Sequence, residues 1–523
     1  MQSRSRLILG IDAGTTSVKT VAFTLDGQIV SVARSSLHTE RRHDGAAEAD
    51  MDRLWEATVS TIIDVVAAIG DADVAAIGIT GQGDGAWLVG ENGLPLRPAA
   101  LWLDGRAHER LERWQADGRA AAVHEATGSP LFAGALPVLV EELAAADPQL
   151  LVALGTQLNC KDWLRYQLTG VIATDPSEAS RTYLDTGTGR YSEALFAALG
   201  HERMRDHLPE VRSPEAVGGV LDAQVAGALG LPAGIPVAVG MVDTAAAGVG
   251  LGAIGDGQGY AILGTTGFVG VNHAARDAVR TDISIVLSTG RGTQVLESLA
   301  PMTGTPNLDW VRDGLGLSER PWSEIEALAA AVPPGSGGVI YLPYGSPSGE
   351  RAPFMAPDAS ASWLGMSVTT EPGQLLRSVY EGLAYALTEC LDELGLTGNL
   401  LICGGGSDSD LLCEILADVS GYEIVRQNEP EVGARGVATL ALVAAGIAPD
   451  LATAVAGMAP PSSVFTPNPG RHALYRSGYR TFIAARDALR PHWTELRRLR
   501  RDAETAAETA ADTAAETTTV HDA

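Results

Sequence analysis

Five short apolar runs recur along the chain, each ending abruptly in Gly, Asp or Thr. Residues 7–11 lead into Asp12-Ala13-Gly14, residues 74–79 into Thr80-Gly81-Gln82, and residues 235–242 into Asp243. Residues 260–263 lead into Gly264-Thr265-Thr266, and residues 400–403 into Gly404-Gly405-Gly406. Unbroken apolar runs of this length fit strands buried on both faces, and α/β folds carry their functional loops at the C-terminal ends of such strands. Between the runs, the pattern predicts helices over residues 55–68, 373–394, 410–419 and 434–445.

One local pattern occurs twice. Asp12-Ala13-Gly14-Thr15-Thr16-Ser17 joins two β-type runs, the second of which ends at an Asp26-Gly27 turn, and Leu263-Gly264-Thr265-Thr266-Gly267 joins two more. A hairpin with a Gly-Thr-Thr turn in each half predicts two halves of similar fold that face a shared ligand. The glycine-rich stretch 248–259 sets the boundary, giving domains over residues 1–248 and 249–497. From Asp502 onward the chain is Ala, Thr, Glu and Asp without aromatics, so residues 498–523 read as a disordered acidic tail.

A chain of 523 residues is too long for one core and suits two. Hydrophobic residues at 46% and charged residues at 19% supply a soluble globular protein with material for both. The formal charge of −27 disfavours nucleic acid and anionic membrane surfaces as partners. It leaves room for a nucleotide held locally by glycines, helix ends and a metal. Cys160, Cys390, Cys403 and Cys413 show neither C-x-x-C pairs nor zinc-finger spacing, so reduced, buried thiols are expected. No run approaches the roughly 18 apolar residues of a membrane span, and the first run is too short for a secretion signal, so a cytoplasmic location is expected.

Phosphoryl transfer to an alcohol needs a phosphate cradle, a carboxylate-held metal and a base aimed at the attacking hydroxyl. No G-x-x-x-x-G-K-[ST] is present, which argues against a P-loop. Gly14-Thr15-Thr16 offers another cradle: glycine lets the backbone approach phosphate oxygens, and threonine hydroxyls and amides donate to them. Asp12 is placed to orient a hydrated Mg2+, although a tight turn with a capping aspartate fits the same residues. Asp243 closes an apolar strand and precedes small residues. It could accept a proton from a substrate hydroxyl, but the local pattern alone favours a helix N-cap. The Gly404-Gly405-Gly406 triplet reads as a nucleotide-adjacent loop opening a helix. The run Gly81-Gln82-Gly83-Asp84-Gly85, with Trp87 and Leu101-Trp102-Leu103-Asp104-Gly105-Arg106, carries amide, carboxylate and indole groups suited to a polyhydroxylated ligand. A polar turn beside a core tryptophan is the plainer alternative. Lys161-Asp162-Trp163 reads either as part of that pocket or as a solvated pair beside a buried ring.

These pieces, in this order, resemble the FGGY family of carbohydrate kinases from Leu7 to about Trp493. The stretches that carry the resemblance are DAGTTSVK from Asp12, TGQGDG from Thr80, LWLDGR from Leu101, NCKDWL from Asn159 and VGMVDTAAAGVG from Val239. They continue with LGTTG from Leu263, GERAPFMAPDASASWLG from Gly349, TTEPGQLLRSVYEGLAY from Thr369 and CGGGSDSDLLCEILADVSG from Cys403. The resemblance implies an α/β fold of two actin-like (ribonuclease H-like) ATPase domains facing a central cleft, which closes on ATP, Mg2+ and a small sugar or polyol. It implies Asp243 as the catalytic base and, with Asp12, as a metal ligand. Asp12, Gly14, Thr15, Thr16 and Lys19 then form the first phosphate loop, and Gly264, Thr265 and Thr266 the second. Gly405, Gly406 and Asp410 fall on the adenosine side. Gln82, Gly83, Asp84, Trp102, Asp104 and Lys161 line the sugar pocket together with Asp243. A homodimer is compatible with this reading.

Gly83-Asp84 departs from the Met-His of xylulose kinases and the Arg-Glu of glycerol kinases. The GQGDG-x-W-L run looks more like the erythritol kinase branch, with L-xylulose kinase-like members close. Erythritol is therefore the expected substrate, and a pentulose the alternative. An actin- or heat-shock-chaperone-like ATPase acting on a protein client lacks support, because no peptide-binding β domain follows the ATP core. A degenerate sugar sensor is disfavoured by the intact Asp12, Asp243 and both Gly-Thr-Thr turns.

Overall fold

A computed structural model of the chain describes residues 6–428 and 431–521. Two seven-stranded sheets organise it, the first from residues 6–242 and the second from residues 259–465. In the first, strand Arg6–Ala13 turns at Gly14 and pairs antiparallel with Ser17–Thr24. In the second, Gly259–Leu263 turns through the other Gly-Thr-Thr and pairs antiparallel with Gly267–His273. The leading strand of each hairpin pairs parallel with the next predicted strand, Asp73–Gly81 in one half and Leu400–Cys403 in the other. The trailing strand of each pairs antiparallel with a further strand, Ile29–Ser36 or Val295–Leu299. Order and direction thus repeat, so the doubled turn marks a structural repeat. Leu7, Leu9 and Ile11 enter one core and Ile8 the core on the opposite face, which is why the run is continuously apolar rather than alternating.

The predicted strand over residues 235–242 divides into Pro236–Ala238 and Met241–Val242. Gly240 makes the break: its φ is +79°, and a Cβ there would lie 2.0 Å from the Ile79 carbonyl oxygen, so no other residue fits. Beyond the kink, Met241 and Val242 pair parallel with Thr80 and Gly81, which aims Asp243 at the end of the first sheet.

The helices follow their capping residues. Met51–Ile69 starts where the Asp50 side chain accepts from the Asp52 and Arg53 amides. Pro372–Leu394 starts with a Glu371/Gln374 capping box and Pro at its first turn, and stops at left-handed Gly395. Two helices interlock the halves. Asp243–Leu251, which follows the first sheet in sequence, packs its Ala246 and Val249 among Tyr260, Leu287 and Leu296 of the second. Val432–Ala444, which follows the second, packs Ala434, Ala438 and Ala441 against Ile8, Val21 and Phe23 of the first. At their crossing a Cβ on Gly436 would sit 1.9 Å from the Ala246 carbonyl oxygen, so the backbones touch directly.

Residues 86–208 add a mostly helical layer with its own core around Trp114, Leu139 and Phe196. This layer grips the edge strand Ile285–Ser288 of the second sheet. Ser129 Oγ accepts from Val286 N at 2.8 Å, and Ser180 Oγ accepts from Ser288 N at 2.9 Å.

The expected tail differs. Residues 493–521 form one helix, Trp493–His521, while residues 522–523 lie outside the described residues. Alanine and glutamate are strong helix formers, and Arg498 sits four residues before Asp502, at 4.0 Å. Trp493 is buried, whereas residues 494–507 are exposed. Truncation after Arg501 is therefore expected to leave kcat and Tm nearly unaltered in activity and thermal-shift assays, and a fall in Tm of several degrees would contradict this. Among the described residues, no helix is long and apolar enough to cross a membrane.

Candidate active site

Strand register gathers the predicted groups at one edge of the first sheet. Asp12 lies opposite Lys19 in the hairpin and opposite Thr80 on the parallel neighbour, and Thr80 pairs in turn with Met241. Ala13, Gly81 and Val242 make the next row, so Gly14, Gln82 and Asp243 leave the sheet side by side. Three hydrogen bonds fix the row ends. Gln82 N donates to Ala13 O at 2.9 Å, Thr80 Oγ1 to Met241 O at 2.7 Å, and Val242 N to Ser177 Oγ at 3.0 Å. Asp12 and Asp243 stand about two strand spacings apart, roughly 10 Å between backbones.

Both carboxylates are partly exposed, yet protein crowds them. Burial, helped by the charges of Asp12 and Asp84, pushes Asp243 up to about 7, against the pull of the Thr244 amide at 2.6 Å. Burial likewise raises Asp12, outweighing the attraction of Lys19. The N-cap of the helix is Val242, and Asp243 is its first residue, bonding only the adjacent amide among the described residues. The capping role that the local sequence favoured is therefore not what forms. Two crowded carboxylates of like charge make a place that a cation relieves. Among the described residues no group of three His, Cys, Asp or Glu could hold a metal ion. A two-carboxylate donor set that leaves the remaining positions to water and phosphate oxygens fits Mg2+.

The two Gly-Thr-Thr turns expose Thr16, Thr265 and Thr266, whose hydroxyls meet no protein partner among the described residues. Thr15 is spent differently. Its Oγ1 donates to Gln82 Oε1 at 3.0 Å and accepts from Trp102 Nε1 at 3.1 Å, tying the first turn to the loop behind it. On the second turn, Thr305 N and Oγ1 donate to Gly264 O at 2.9 and 3.0 Å. Buried Glu350 steadies that neighbour, accepting from Met302 N at 2.6 Å and Thr303 Oγ1 at 2.8 Å. Gly406 packs against Leu263 and Thr305, while a Cβ on Gly405 would meet nothing within 4 Å, so open space lies beside it. Asp410 opens the helix Asp410–Ser420 and pairs with Arg426 at 2.7 Å. Lys19 does not reach freely toward the turn. Glu431, just before the interlocking helix, holds it at 3.1 Å together with Arg34 at 3.3 Å.

Gly83 and Asp84 lie beside the Asp243 end, while Gln82 and Trp102 meet at Thr15. A side chain at 83 would run into Val242 Cγ2 at 2.6 Å, so the glycine is a packing requirement rather than added pocket volume. Asp84 is paired, with Arg181 Nε 3.2 Å from each of its oxygens. Two expected pocket residues do not reach the cleft. Asp104 is buried, accepting from Ala47 N at 3.0 Å and Arg106 at 2.7 Å, which locks its own loop. Lys161 is fully buried, bridging Asp162 at 2.7 Å and Asp175 at 3.0 Å. Its helix, Cys160–Thr169, presents that face to the protein interior.

The segment 174–181 went unread in the sequence, and nearly every side chain in it serves the site. Thr174 donates to Asp162 at 2.6 Å, Asp175 meets Lys161, and Ser177 holds the Val242 amide. Ser180 reaches the second sheet and Arg181 reaches Asp84. Glu178 lies fully buried beneath Gly83, and among the described residues its oxygens have no partner. Burial holds its carboxyl well above the usual range. Lys161 and Arg165 balance Asp162 and Asp175, so a neutral Glu178 leaves the cluster without net charge. The one local signal was Asp175-Pro176, a helix-start pair, and it does cap the short helix Pro176–Ala179.

A duplicated α/β core with a threonine turn in each half, and an aspartate pair at the end of the first sheet, is the arrangement of the actin-like ATPase fold. Family models agree with that class. The N-terminal domain of the FGGY family of carbohydrate kinases matches residues 7–250 and the C-terminal domain matches residues 259–445. The chain belongs to the FGGY family of carbohydrate kinases. It is an ATP-dependent enzyme acting on a hydroxyl of a sugar or polyol. It is 34% identical over 520 residues to an erythritol kinase of Brucella abortus, covering 95% of this chain and 99% of that protein. Against a xylulose kinase of Escherichia coli the identity is 30% over 491 residues, covering 91% and 98%. The ligand-bound xylulose kinase structure from Lactobacillus acidophilus superposes with a TM-score of 0.85 at 23% identity, over 94% of this chain and all of that one, which shows the fold.

Proposed function

We propose that the cleft transfers the terminal phosphoryl group of ATP to a hydroxyl of a short polyol, with erythritol the preferred acceptor. Asp243 is the general base: the register that brings it out of the first sheet beside Gly14 and Gln82 is the observation that carries the reading, and burial there pushes its carboxyl up to about 7. Thr16, Thr265 and Thr266 donate to phosphate oxygens, and Gly405, Gly406 and Asp410 flank the adenosine. Asp12 and Asp243 would hold Mg2+, which would supply positive charge against the phosphates. Gln82, Asp84 and Trp102 receive the acceptor, and closure of the lobes keeps water away from Asp243. The likeness to an erythritol kinase over nearly the whole chain supports the acceptor assignment.

The test is kcat/KM for erythritol, threitol, L- and D-xylulose, xylitol and glycerol under one condition. Erythritol is expected to lead. A five-carbon ketose ahead by about tenfold or more would overturn the acceptor and leave the kinase in place.

A further inference from the structure

Among the described residues, only Asp84 and Ser336 combine a positive φ with a side chain; for Asp84 it is 59°. Such a conformation persists where its surroundings hold it, and at Asp84 the holder is Arg181. Arg181 places Nε 3.2 Å from both Asp84 oxygens and lays its guanidinium over the Phe132 ring at 5.4 Å. The Phe132 loop is itself tied down, since Gly85 N donates to Gly134 O at 3.0 Å. One edge and one face of the guanidinium are therefore fixed.

The two terminal amino groups are not. They carry four of the five N–H donors of an arginine, and among the described residues they meet no acceptor. The side chain is only 5% exposed, yet these nitrogens keep contact with accessible space. Gly83, next to Asp84, packs against Val242, next to Asp243, with a Cβ there only 2.6 Å from Val242 Cγ2, so the pair belongs to the same cleft. A fixed acceptor and an unspent donor thus sit side by side. A hydroxyl can use both at once, giving its hydrogen to Asp84 and taking one from Arg181. A carbonyl has no hydrogen to give, and a carboxylate meets the charge of Asp84.

We propose that Arg181 binds substrate and, with Asp84, selects for a free hydroxyl at one carbon of the acceptor and against a carbonyl there. This rests on the reading that the cleft phosphorylates a small polyol, and it adds the group that reads the chain away from the reacting hydroxyl.

The experiment compares wild type, Arg181→Gln and Arg181→Lys on erythritol, its monodeoxy analogues and erythrulose, with Tm measured for each protein. Arg181→Gln is expected to lower kcat/KM for erythritol about 10–100-fold, mostly through KM. On the analogue lacking the hydroxyl that the pair reads, variant and wild type are expected to agree within about threefold. The polyol-over-ketose preference should shrink in parallel. Arg181→Lys keeps the ion pair but loses the planar fork, and is expected to show the same selectivity change at unaltered Tm. An equal loss on every analogue in both variants, or no loss, overturns the proposal, because a merely structural role lowers all substrates together. A wild-type preference for a ketose that Arg181→Gln leaves unchanged overturns it as well. If no polyol or ketose is turned over by the wild type, the functional reading fails and the proposal with it, which distinguishes the two failures.

Discussion

Replacing Asp243 with Asn is expected to lower kcat by roughly 10²–10⁴-fold while leaving ATP binding largely intact. Asparagine keeps the shape and can still accept from the Thr244 amide, so the loss isolates the basicity of the carboxylate. The same change should stabilise the ligand-free enzyme. Folding raises the Asp243 pKa from the usual 3.8 to about 7, chiefly through burial, so folding favours the protonated form. The stability tied to that proton is fully present below about pH 4 and is lost as pH rises through about 7. A neutral amide avoids the loss, so Asp243→Asn should be more stable than wild type by up to a few kcal/mol at pH 8 and nearly equal to it at pH 4. Wild-type kcat/KM should climb with pH through about 7 as the base deprotonates. Steady-state kinetics and thermal unfolding from pH 4 to 8 check all three, and near-wild-type turnover by the variant would remove Asp243 from the chemistry.

Lys161→Met is expected to destabilise the enzyme by about 3–5 kcal/mol, since removing one partner strands a buried charge. Lys161, Asp162 and Arg165 are all fully buried, and the two cations balance Asp162 and Asp175. Without Lys161, one carboxylate must ionise unpaired or take up a proton. Asp175 also accepts from Ser177 N at 2.8 Å, and Ser177 in turn holds the Val242 amide. The damage should therefore pass to Asp243 and lower kcat as well. The urea midpoint and kcat of the variant measure both effects, and a shift under about 1 kcal/mol would show that the cluster tolerates the gap.

What could be read from the sequence was whatever local order encodes. Apolar runs broken by Asp, Gly or Thr gave the strand ends; Asp12, Gln82 and Asp243 leave the first sheet together there, and each threonine turn closes its own hairpin. The repeated hairpin was legible because its turn residues lie next to one another. Long-range partners left no such trace. Arg181 meets Asp84 across 97 positions, and Glu431 meets Lys19 across 412. Neither pairing produces a periodicity. Asp104 and Lys161 looked like pocket residues because they neighbour pocket motifs, but their polar atoms are consumed by Arg106 and Asp175. Gly240 was hidden inside an apolar run, where composition cannot reveal a positive φ. The C-terminal stretch was ambiguous for another reason: the Ala and Glu content that lacks a core-forming stripe also favours a helix.

The most direct test follows both products of one reaction. Wild-type enzyme, ATP, Mg2+ and erythritol are combined and monitored by phosphorus NMR beside an ADP assay. One monophosphate ester of erythritol should form for each ADP, with both nearly abolished in Asp243→Asn. ADP accompanied only by inorganic phosphate, whichever polyol is present, would contradict the transfer that the cleft is proposed to perform.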